Sequence, residues 1–223
     1  VIPPYINKYY VMDLNEQKSM VRWLVEKKAT VFMISWVNPD EKYAHYSFDE
    51  YVAKGTLAAL RAIEKQTKQK SVHTVGYCVG GTLMAITMAY LASIGQSEKI
   101  SSATFLASLV DFENAGELEV FIDEDQVSNI EKKMEETGYF DGKDMAATFN
   151  ALRPGDLFWG YVVNNYLLGK QPASLDILHW NSDTTRLPKK LHSDYLRNMY
   201  INNILVHEDE MEILGQVINL KDI

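Results

Sequence analysis

Hydrophobic and polar positions in the first part of the chain alternate in a way that predicts helices and strands in turn. Within 17–28 the apolar residues recur at three- and four-residue spacing, which predicts an amphipathic helix. Residues 29–37 form a continuous β-rich apolar run, which is typical of a parallel strand covered on both faces. A second helical pattern covers 48–65, although Gly55 interrupts it at some cost in helix stability.

The pattern changes abruptly within 72–83. Apolar and polar residues alternate over 72–77, which predicts a strand, and a glycine-free run of helix formers predicts a helix over 82–92. Between them, Gly-Tyr-Cys-Val-Gly at 76–80 matches the pattern Gly-x-nucleophile-x-Gly, in which a strained turn presents a nucleophile and the glycines allow close packing. Cys78 is therefore the candidate nucleophile. The alternative is that Cys78 only fills space in the core, as a small buried apolar residue does.

The chemistry expected at Cys78 follows from its place before a helix. Unpaired N–H groups at a helix N-terminus favour a thiolate, which predicts a lowered pKa for the Cys78 thiol. The amide of Val79 would point at an oxyanion that forms on an attacked carbonyl. The opening segment 1–8 predicts the end of a buried strand and then a rigid loop, from which Ile6 or Asn7 would donate a second oxyanion hydrogen bond. The alternative is that Pro3 and Pro4 only form a stiff turn.

The strained turn at 76–80 is called the nucleophile elbow here. The elements that follow it complete the predicted architecture. An apolar run at 100–109 predicts another strand, and Asp111 follows at its carboxyl end, where site residues of parallel sheets collect. The order of elements predicts an α/β fold, an α/β-hydrolase-like parallel sheet core with right-handed crossovers. The acidic stretch 113–144 and the aromatic stretch 145–169 predict an inserted helical cap that excludes water from the site. A partner-binding face is the competing interpretation.

These patterns predict three parts of the chain. The core with its nucleophile elbow covers 1–111, the helical cap subdomain covers 112–202, and the return to the core begins over 203–223. The chain opens inside an apolar segment without a cap, which predicts that it is cut at its start.

Composition narrows the possible partners. The chain has 223 residues, a net charge of -8 and a pI near 5.2, which argues against a nucleic-acid partner. No run of 18 apolar residues or signal peptide is present, so no membrane span is predicted and the reducing cytosol is the expected compartment. The acidic clusters at 123–125 and 208–210 lack the spacing of a calcium loop, and no metal site is predicted.

Six sequence blocks resemble the polyhydroxyalkanoate synthases. They lie at 32–40, 76–83, 121–126, 162–170, 180–183 and 195–200, span essentially the whole chain, and follow the family's order. The cap blocks look more like the single-subunit synthases that use short-chain substrates. The resemblance implies that the Cys78 thiolate takes a 3-hydroxyacyl group from coenzyme A, that Val79 and Ile6 supply the oxyanion amides, and that Trp180 is a cap residue beside the site that contacts substrate.

The same resemblance implies partners and a location. Coenzyme A enters as the acyl carrier of the substrate, and no separate cofactor is expected. A growing polyester chain, a homodimer formed through the cap, and a cytoplasmic location at the surface of polyester granules are the further expectations. In the family, an aspartate and a histidine complete a catalytic triad with the cysteine nucleophile. Both follow the segment that 203–223 resembles, so these two residues and the C-terminal strands are expected after Ile223. The chain alone is then predicted to have little turnover.

Other polar residues do not match the family's acid or base. Asp111 and Asp183 differ from the family's acid position, and all five histidines are interpreted as surface or cap residues. Two further hypotheses stay open. One is a cysteine-nucleophile hydrolase that acts on thioesters or polyesters with the same elbow, and the other is a non-catalytic piece for granule binding or dimerisation.

Overall fold

A computed structural model of the chain describes residues 1–116, 122–152, 159, 160, 162–170 and 176–223. Parts of the predicted cap, at 117–121, 153–158, 161 and 171–175, lie outside the described residues. The strands are β1 (Asp13–Asn15), β2 (Lys18–Ser19), β3 (Val72–Tyr77), β4 (Ile100–Leu106), β5 (Tyr139–Phe140), β6 (Leu187–Pro188), β7 (Met211–Ile213) and β8 (Gln216–Ile218). The α-helices are α1 (Met20–Glu26), α2 (Phe48–Glu50), α3 (Leu57–Thr67), α4 (Val79–Ser93), α5 (Glu124–Thr137), α6 (Gly142–Leu152), α7 (Asp176–Ser182) and α8 (Lys189–Asp194).

Parallel backbone pairing surrounds β3. Strand β4 pairs with β3 in parallel, and Ile2 lies along its other side, where the Ile2 N–H donates to the Val75 carbonyl at 2.8 Å. The Tyr77 N–H donates back to the Ile2 carbonyl at 3.1 Å. This mixture of helices and parallel strands is consistent with the predicted α/β class, while the α/β-hydrolase arrangement and the three-part division stay predictions.

The predicted strand at 29–37 is wrong as a regular strand, because the structure gives 29–40 no regular secondary structure. Its pairing is limited to the start of the chain: the Val1 amino group donates to the Phe32 carbonyl at 2.7 Å, and the Ile34 N–H donates to the Val1 carbonyl at 3.2 Å. Within the described residues these are the two main-chain hydrogen bonds between this run and the opening segment, and the Trp36 indole N–H adds one to the Pro3 carbonyl at 3.1 Å. Two main-chain bonds do not make a ladder.

The predicted helix at 48–65 is confirmed, with an irregularity in its middle. Helix α2 continues through a π-helical segment, Tyr51–Thr56, into α3. Gly55 lies in that segment, and a Cβ there would come within 2.6 Å of the Trp36 ring. The glycine that weakens the helix is therefore the residue that lets the Trp36 ring pack against it.

Helix α4 lies at the centre of the core. It begins at Val79, three residues before the predicted start, and 11 of its 15 residues are buried. Its buried side chains pack with Ile2, Tyr5 and Val52 in one apolar cluster. Thr87 of α4 and Thr56 also share a buried hydrogen bond of 2.8 Å between their hydroxyl oxygens. The element that begins at the candidate nucleophile is thus held on several sides.

An ion-pair cluster joins α5 to the helical segment that follows α8. Arg197, in the π-helical segment Tyr195–Ile201, donates two hydrogen bonds of 2.7 Å to the two carboxylate oxygens of Glu131 and one of 2.7 Å to Glu124. The Arg197 guanidinium holds the pKa of Glu131 at about 2. This bidentate geometry orients the predicted cap helix α5 against the last third of the chain.

His192, in the predicted cap, is a buried histidine. Its ring in α8 is 4% exposed, stacks on Phe140 with 4.4 Å between ring centroids, and leaves Nδ1 without a hydrogen-bond partner among the described residues. Burial lowers the pKa of His192 to about 4. The imidazole is therefore neutral in the folded protein at neutral pH.

This burial predicts a specific loss of stability in acid. In the unfolded chain the His192 imidazole takes up a proton near pH 6.5, and in the folded protein it does so near pH 4. The contribution of neutral His192 to the free energy of unfolding is therefore complete above pH 6.5 and declines as the pH falls towards 4. We expect a loss of about 3 kcal/mol over this window, measured by urea unfolding. His192→Leu should remove this part of the pH dependence, whereas the exposed control His73→Leu should retain it. Equal pH profiles for the wild type and His192→Leu would contradict the prediction.

The described residues contain no helix that is both long and apolar enough to cross a membrane.

Candidate active site

Cys78 occupies the turn between β3 and α4. Its backbone has φ 54° and ψ -132°, a conformation that residues with a side chain rarely adopt. Two hydrogen bonds hold the turn: the Cys78 N–H donates to the Leu106 carbonyl at 2.9 Å, and the Gly81 N–H donates to the Cys78 carbonyl at 2.8 Å. The local geometry is therefore that of a strained nucleophile elbow.

Three glycines make the tight packing of this elbow possible. A Cβ on Gly76 would lie 2.6 Å from the Gly81 Cα, so these two residues bring β3 and α4 together. A Cβ on Gly80 would meet the Pro3 carbonyl oxygen at 2.5 Å and clash with that of Ile2. Gly81 similarly leaves room for Ser108 after β4. Each glycine of the motif thus faces a backbone or side chain that no larger residue would admit.

The thiol of Cys78 is half-buried, and this burial changes the prediction about its ionisation. Desolvation raises the pKa of the Cys78 thiol, and a hydrogen bond from the Val79 N–H opposes the rise without cancelling it. The predicted lowering of the pKa is therefore wrong in direction, because the cost of burying a thiolate exceeds the stabilisation at the helix N-terminus. At neutral pH the sulfur is therefore protonated.

The loop that carries Ile6 lies beside the elbow and is fixed through its carbonyl groups. Ile6 is buried, and its carbonyl oxygen accepts hydrogen bonds of 2.9 Å from both the N–H and the hydroxyl of Thr185. No described residue accepts a hydrogen bond from the Ile6 N–H. Asn7, the alternative donor, forms an isolated antiparallel bridge with Thr184.

Trp180 contacts the same loop. Its indole N–H donates to the Lys8 carbonyl at 2.7 Å, and nearby the Tyr10 hydroxyl donates to Asp183 at 2.8 Å. The polar atom of Trp180 therefore fastens α7 to the loop that carries Ile6. A direct contact of Trp180 with substrate stays a prediction.

Asp111 lies just after β4, where the sequence predicts site residues. Its carboxylate accepts hydrogen bonds from the Asn203 side-chain amide at 2.8 Å and from the Glu113 N–H at 3.0 Å, and these bonds lower the pKa of Asp111. Asn203 also accepts from the Phe112 N–H at 2.9 Å. The exit of β4 is thereby joined to residue 203, which is a structural role.

A group of tyrosines around the elbow is the feature that the sequence patterns missed. Burial raises the pKa of the Tyr5, Tyr195 and Tyr200 phenols, and a negative charge on the Cys78 sulfur would raise it further. The rings of Tyr195 and Tyr200 lie 5.4 Å apart, and burial raises the pKa of both, so both stay neutral. The available signal was weak: Tyr5 directly precedes Ile6, and the other two lie in the block 195–200.

The sequence of the chain is similar to those of known proteins. The family described as poly-beta-hydroxybutyrate polymerase (PhaC) N-terminus matches residues 1–24. A poly(3-hydroxyalkanoate) polymerase from Methylorubrum extorquens is 52% identical over 97% of this chain and 35% of its own length. Its counterparts from Rhizobium meliloti and Cupriavidus necator are 48% and 38% identical over 100% of this chain, and over 36% and 38% of their own lengths.

The chain spans about a third of the length of these curated relatives. It is homologous along its whole length to the poly(3-hydroxyalkanoate) polymerases, which confirms the resemblance that the six sequence blocks carry.

Proposed function

We propose that this chain carries the nucleophile of a polyhydroxyalkanoate synthase, an acyltransferase that polymerises 3-hydroxyacyl groups from coenzyme A. The observation that carries the proposal is the position of Cys78, the one cysteine of the chain, on a strained strand–turn–helix elbow. The names of the relatives support polyester synthesis as the activity to which this elbow contributes.

The proposed reaction has two acyl transfers. In the first, a base removes the thiol proton, the Cys78 sulfur attacks the thioester carbonyl, and the bond to the coenzyme A sulfur breaks. Coenzyme A leaves as a thiol after it takes up a proton, and the acyl group stays on Cys78 as a new thioester. In the second, the hydroxyl of one acyl unit attacks such a thioester, an ester bond forms, and the Cys78 sulfur is released and reprotonated. Each cycle lengthens the polyester by one unit and releases one coenzyme A.

Both transfers pass through an oxyanion, which we assign to the amides of Val79 and Ile6. The Val79 N–H already points at the Cys78 sulfur, next to the atom where the tetrahedral carbon would form. The Ile6 N–H has no acceptor among the described residues, and its loop is held from the carbonyl side by Thr185. Two preorganised donors of this kind stabilise developing negative charge without rearrangement.

The base is assigned to an aspartate and a histidine that the resemblance places after the segment 203–223. A base is required because burial raises the pKa of the Cys78 thiol. None of the five histidines of this chain forms a hydrogen bond with Cys78, and all five belong to the described residues. His192, the most deeply buried, instead stacks on Phe140.

A partner surface is proposed on the predicted cap. Tyr166, Leu167 and Leu168 are exposed apolar residues of the cap, with Tyr166 84% exposed. We assign this surface to the homodimer contact that the resemblance implies, and the working site to the cytoplasmic surface of polyester granules. Apolar side chains in such numbers favour contact with another protein or with the polyester itself.

The test is to incubate the full-length protein with 3-hydroxybutyryl-coenzyme A and identify the products by mass. We expect released coenzyme A, a 3-hydroxybutyryl group on the peptide that contains Cys78, and polymer. Free 3-hydroxybutyrate without polymer would instead support the thioesterase, and degradation of added polyester would support the depolymerase. If neither product nor acyl-enzyme forms, the protein is a non-catalytic granule or dimerisation piece.

A further inference from the structure

The side chain of Tyr5 has a property that neither packing nor the proposed mechanism explains. Its ring is 2% exposed and lies in the apolar cluster of the core, 5.2 Å from the Tyr51 ring and 6.3 Å from the Trp36 ring. Its hydroxyl is buried, yet it has no hydrogen-bond partner among the described residues. A buried hydroxyl without an acceptor costs about 1–3 kcal/mol, so a phenylalanine would fill this position more favourably.

The chain segment that carries Tyr5 packs against the elbow. Ile2 pairs with the last residues of β3, which lead directly into Cys78, and the Ile2 and Pro3 carbonyls pack on Gly80 of α4. Three residues after Ile2, the Tyr5 carbonyl accepts a hydrogen bond of 2.6 Å from the Thr185 hydroxyl. The segment is thus fixed on both sides of Tyr5, and Cys78 packs against the same apolar cluster that contains the Tyr5 ring.

The phenol is a permanent hydrogen-bond donor. Burial, together with the neighbouring Tyr51 and Cys78, raises the pKa of Tyr5 well above its usual range, so the hydroxyl keeps its proton at any working pH. A neutral donor in the cluster against which the nucleophile packs could match an oxygen of the acyl group. A 3-hydroxyacyl thioester brings two oxygens: its carbonyl oxygen is already assigned to Val79 and Ile6, and its 3-hydroxyl oxygen has no assigned partner.

We propose that the Tyr5 hydroxyl donates a hydrogen bond to the 3-hydroxyl oxygen of the acyl group on Cys78, and so selects 3-hydroxyacyl thioesters over plain acyl thioesters. This inference rests on the proposed function, and it adds a specificity-determining residue to it. When a plain acyl group binds, the Tyr5 hydroxyl stays buried and unpaired. A site that contains a buried polar group discriminates against a ligand that lacks its partner.

The experiment compares two substrates in the full-length protein. Acylation of Cys78 is measured by mass spectrometry after rapid quenching, with 3-hydroxybutyryl-coenzyme A and with butyryl-coenzyme A, in the wild type and in Tyr5→Phe. We expect the acylation rate with 3-hydroxybutyryl-coenzyme A, divided by the rate with butyryl-coenzyme A, to fall about tenfold to a hundredfold in Tyr5→Phe. Only the rate with the hydroxylated substrate should change. Tyr51→Phe is the matched control, because it removes a hydroxyl from the ring 5.2 Å away and should leave the ratio unchanged.

Thermal unfolding gives a second, independent readout. Tyr5→Phe should unfold at the same temperature as the wild type or higher, because it removes a buried hydroxyl without an acceptor. A ratio that is unchanged in Tyr5→Phe would overturn the inference and leave the proposed function intact, since a bound water molecule would then satisfy the hydroxyl. A clear drop in unfolding temperature would also overturn it, because the hydroxyl would then have a structural partner. If neither substrate acylates wild-type Cys78, the proposed function fails and this inference fails with it.

Discussion

Cys78→Ala is expected to abolish formation of the acyl-enzyme and of polymer, with a loss of at least about three orders of magnitude in the rate of coenzyme A release. The reason is that the sulfur forms and breaks the covalent bond in both transfers, and the two oxyanion amides have no intermediate to stabilise without it. The measurement is the release of free coenzyme A from 3-hydroxybutyryl-coenzyme A by the full-length protein.

Cys78→Ser provides the matched control for this prediction. Serine preserves the size of the side chain and the strained backbone of the turn, where φ is 54°. A hydroxyl ionises much less readily than a thiol, so we expect Cys78→Ser to fold like the wild type and to retain only a small fraction of its rate. Both variants should keep the wild-type unfolding midpoint. Undiminished polymer formation by Cys78→Ala would remove the elbow from the mechanism altogether.

The sequence predicted those features that depend on neighbouring residues. The elbow at 76–80 was visible because its glycines and its cysteine must stand at fixed offsets for strand and helix to meet. The helix over 48–65 was visible from its apolar spacing alone, although the reason for Gly55 was not, because Trp36 is distant in sequence.

Features that depend on distant contacts were missed or predicted wrongly. The pKa of Cys78 rises because core residues from many segments bury it, and no local pattern carries that burial. His192 follows two lysines and an apolar residue in a helix, which resembles a surface, yet packing on Phe140 encloses it. The unpaired hydroxyl of Tyr5 likewise exists only because the segment 1–6 is held between β3 and Thr185.

Gly80→Ala is expected to cost about 3 kcal/mol in the free energy of unfolding and to lower acylation of Cys78 sharply. The added Cβ would lie 2.5 Å from the Pro3 carbonyl oxygen and would clash with the Ile2 carbonyl oxygen, and neither is the end of a flexible side chain. Relief therefore requires the segment 2–3 to move away from α4. That segment leads into Tyr5 and Ile6, so the same movement would displace the second oxyanion amide.

Gly95→Ala separates this packing effect from the general cost of replacing a glycine. Gly95 has φ 68° and no atom within 4 Å of the position where a Cβ would lie, so its replacement adds only backbone strain, about 1 kcal/mol. Urea unfolding and acylation by 3-hydroxybutyryl-coenzyme A are measured for both variants. We expect Gly95→Ala to keep the wild-type acylation rate and Gly80→Ala to lose it. Equal behaviour of the two variants would mean that contact between α4 and the opening segment does not set the geometry of the site.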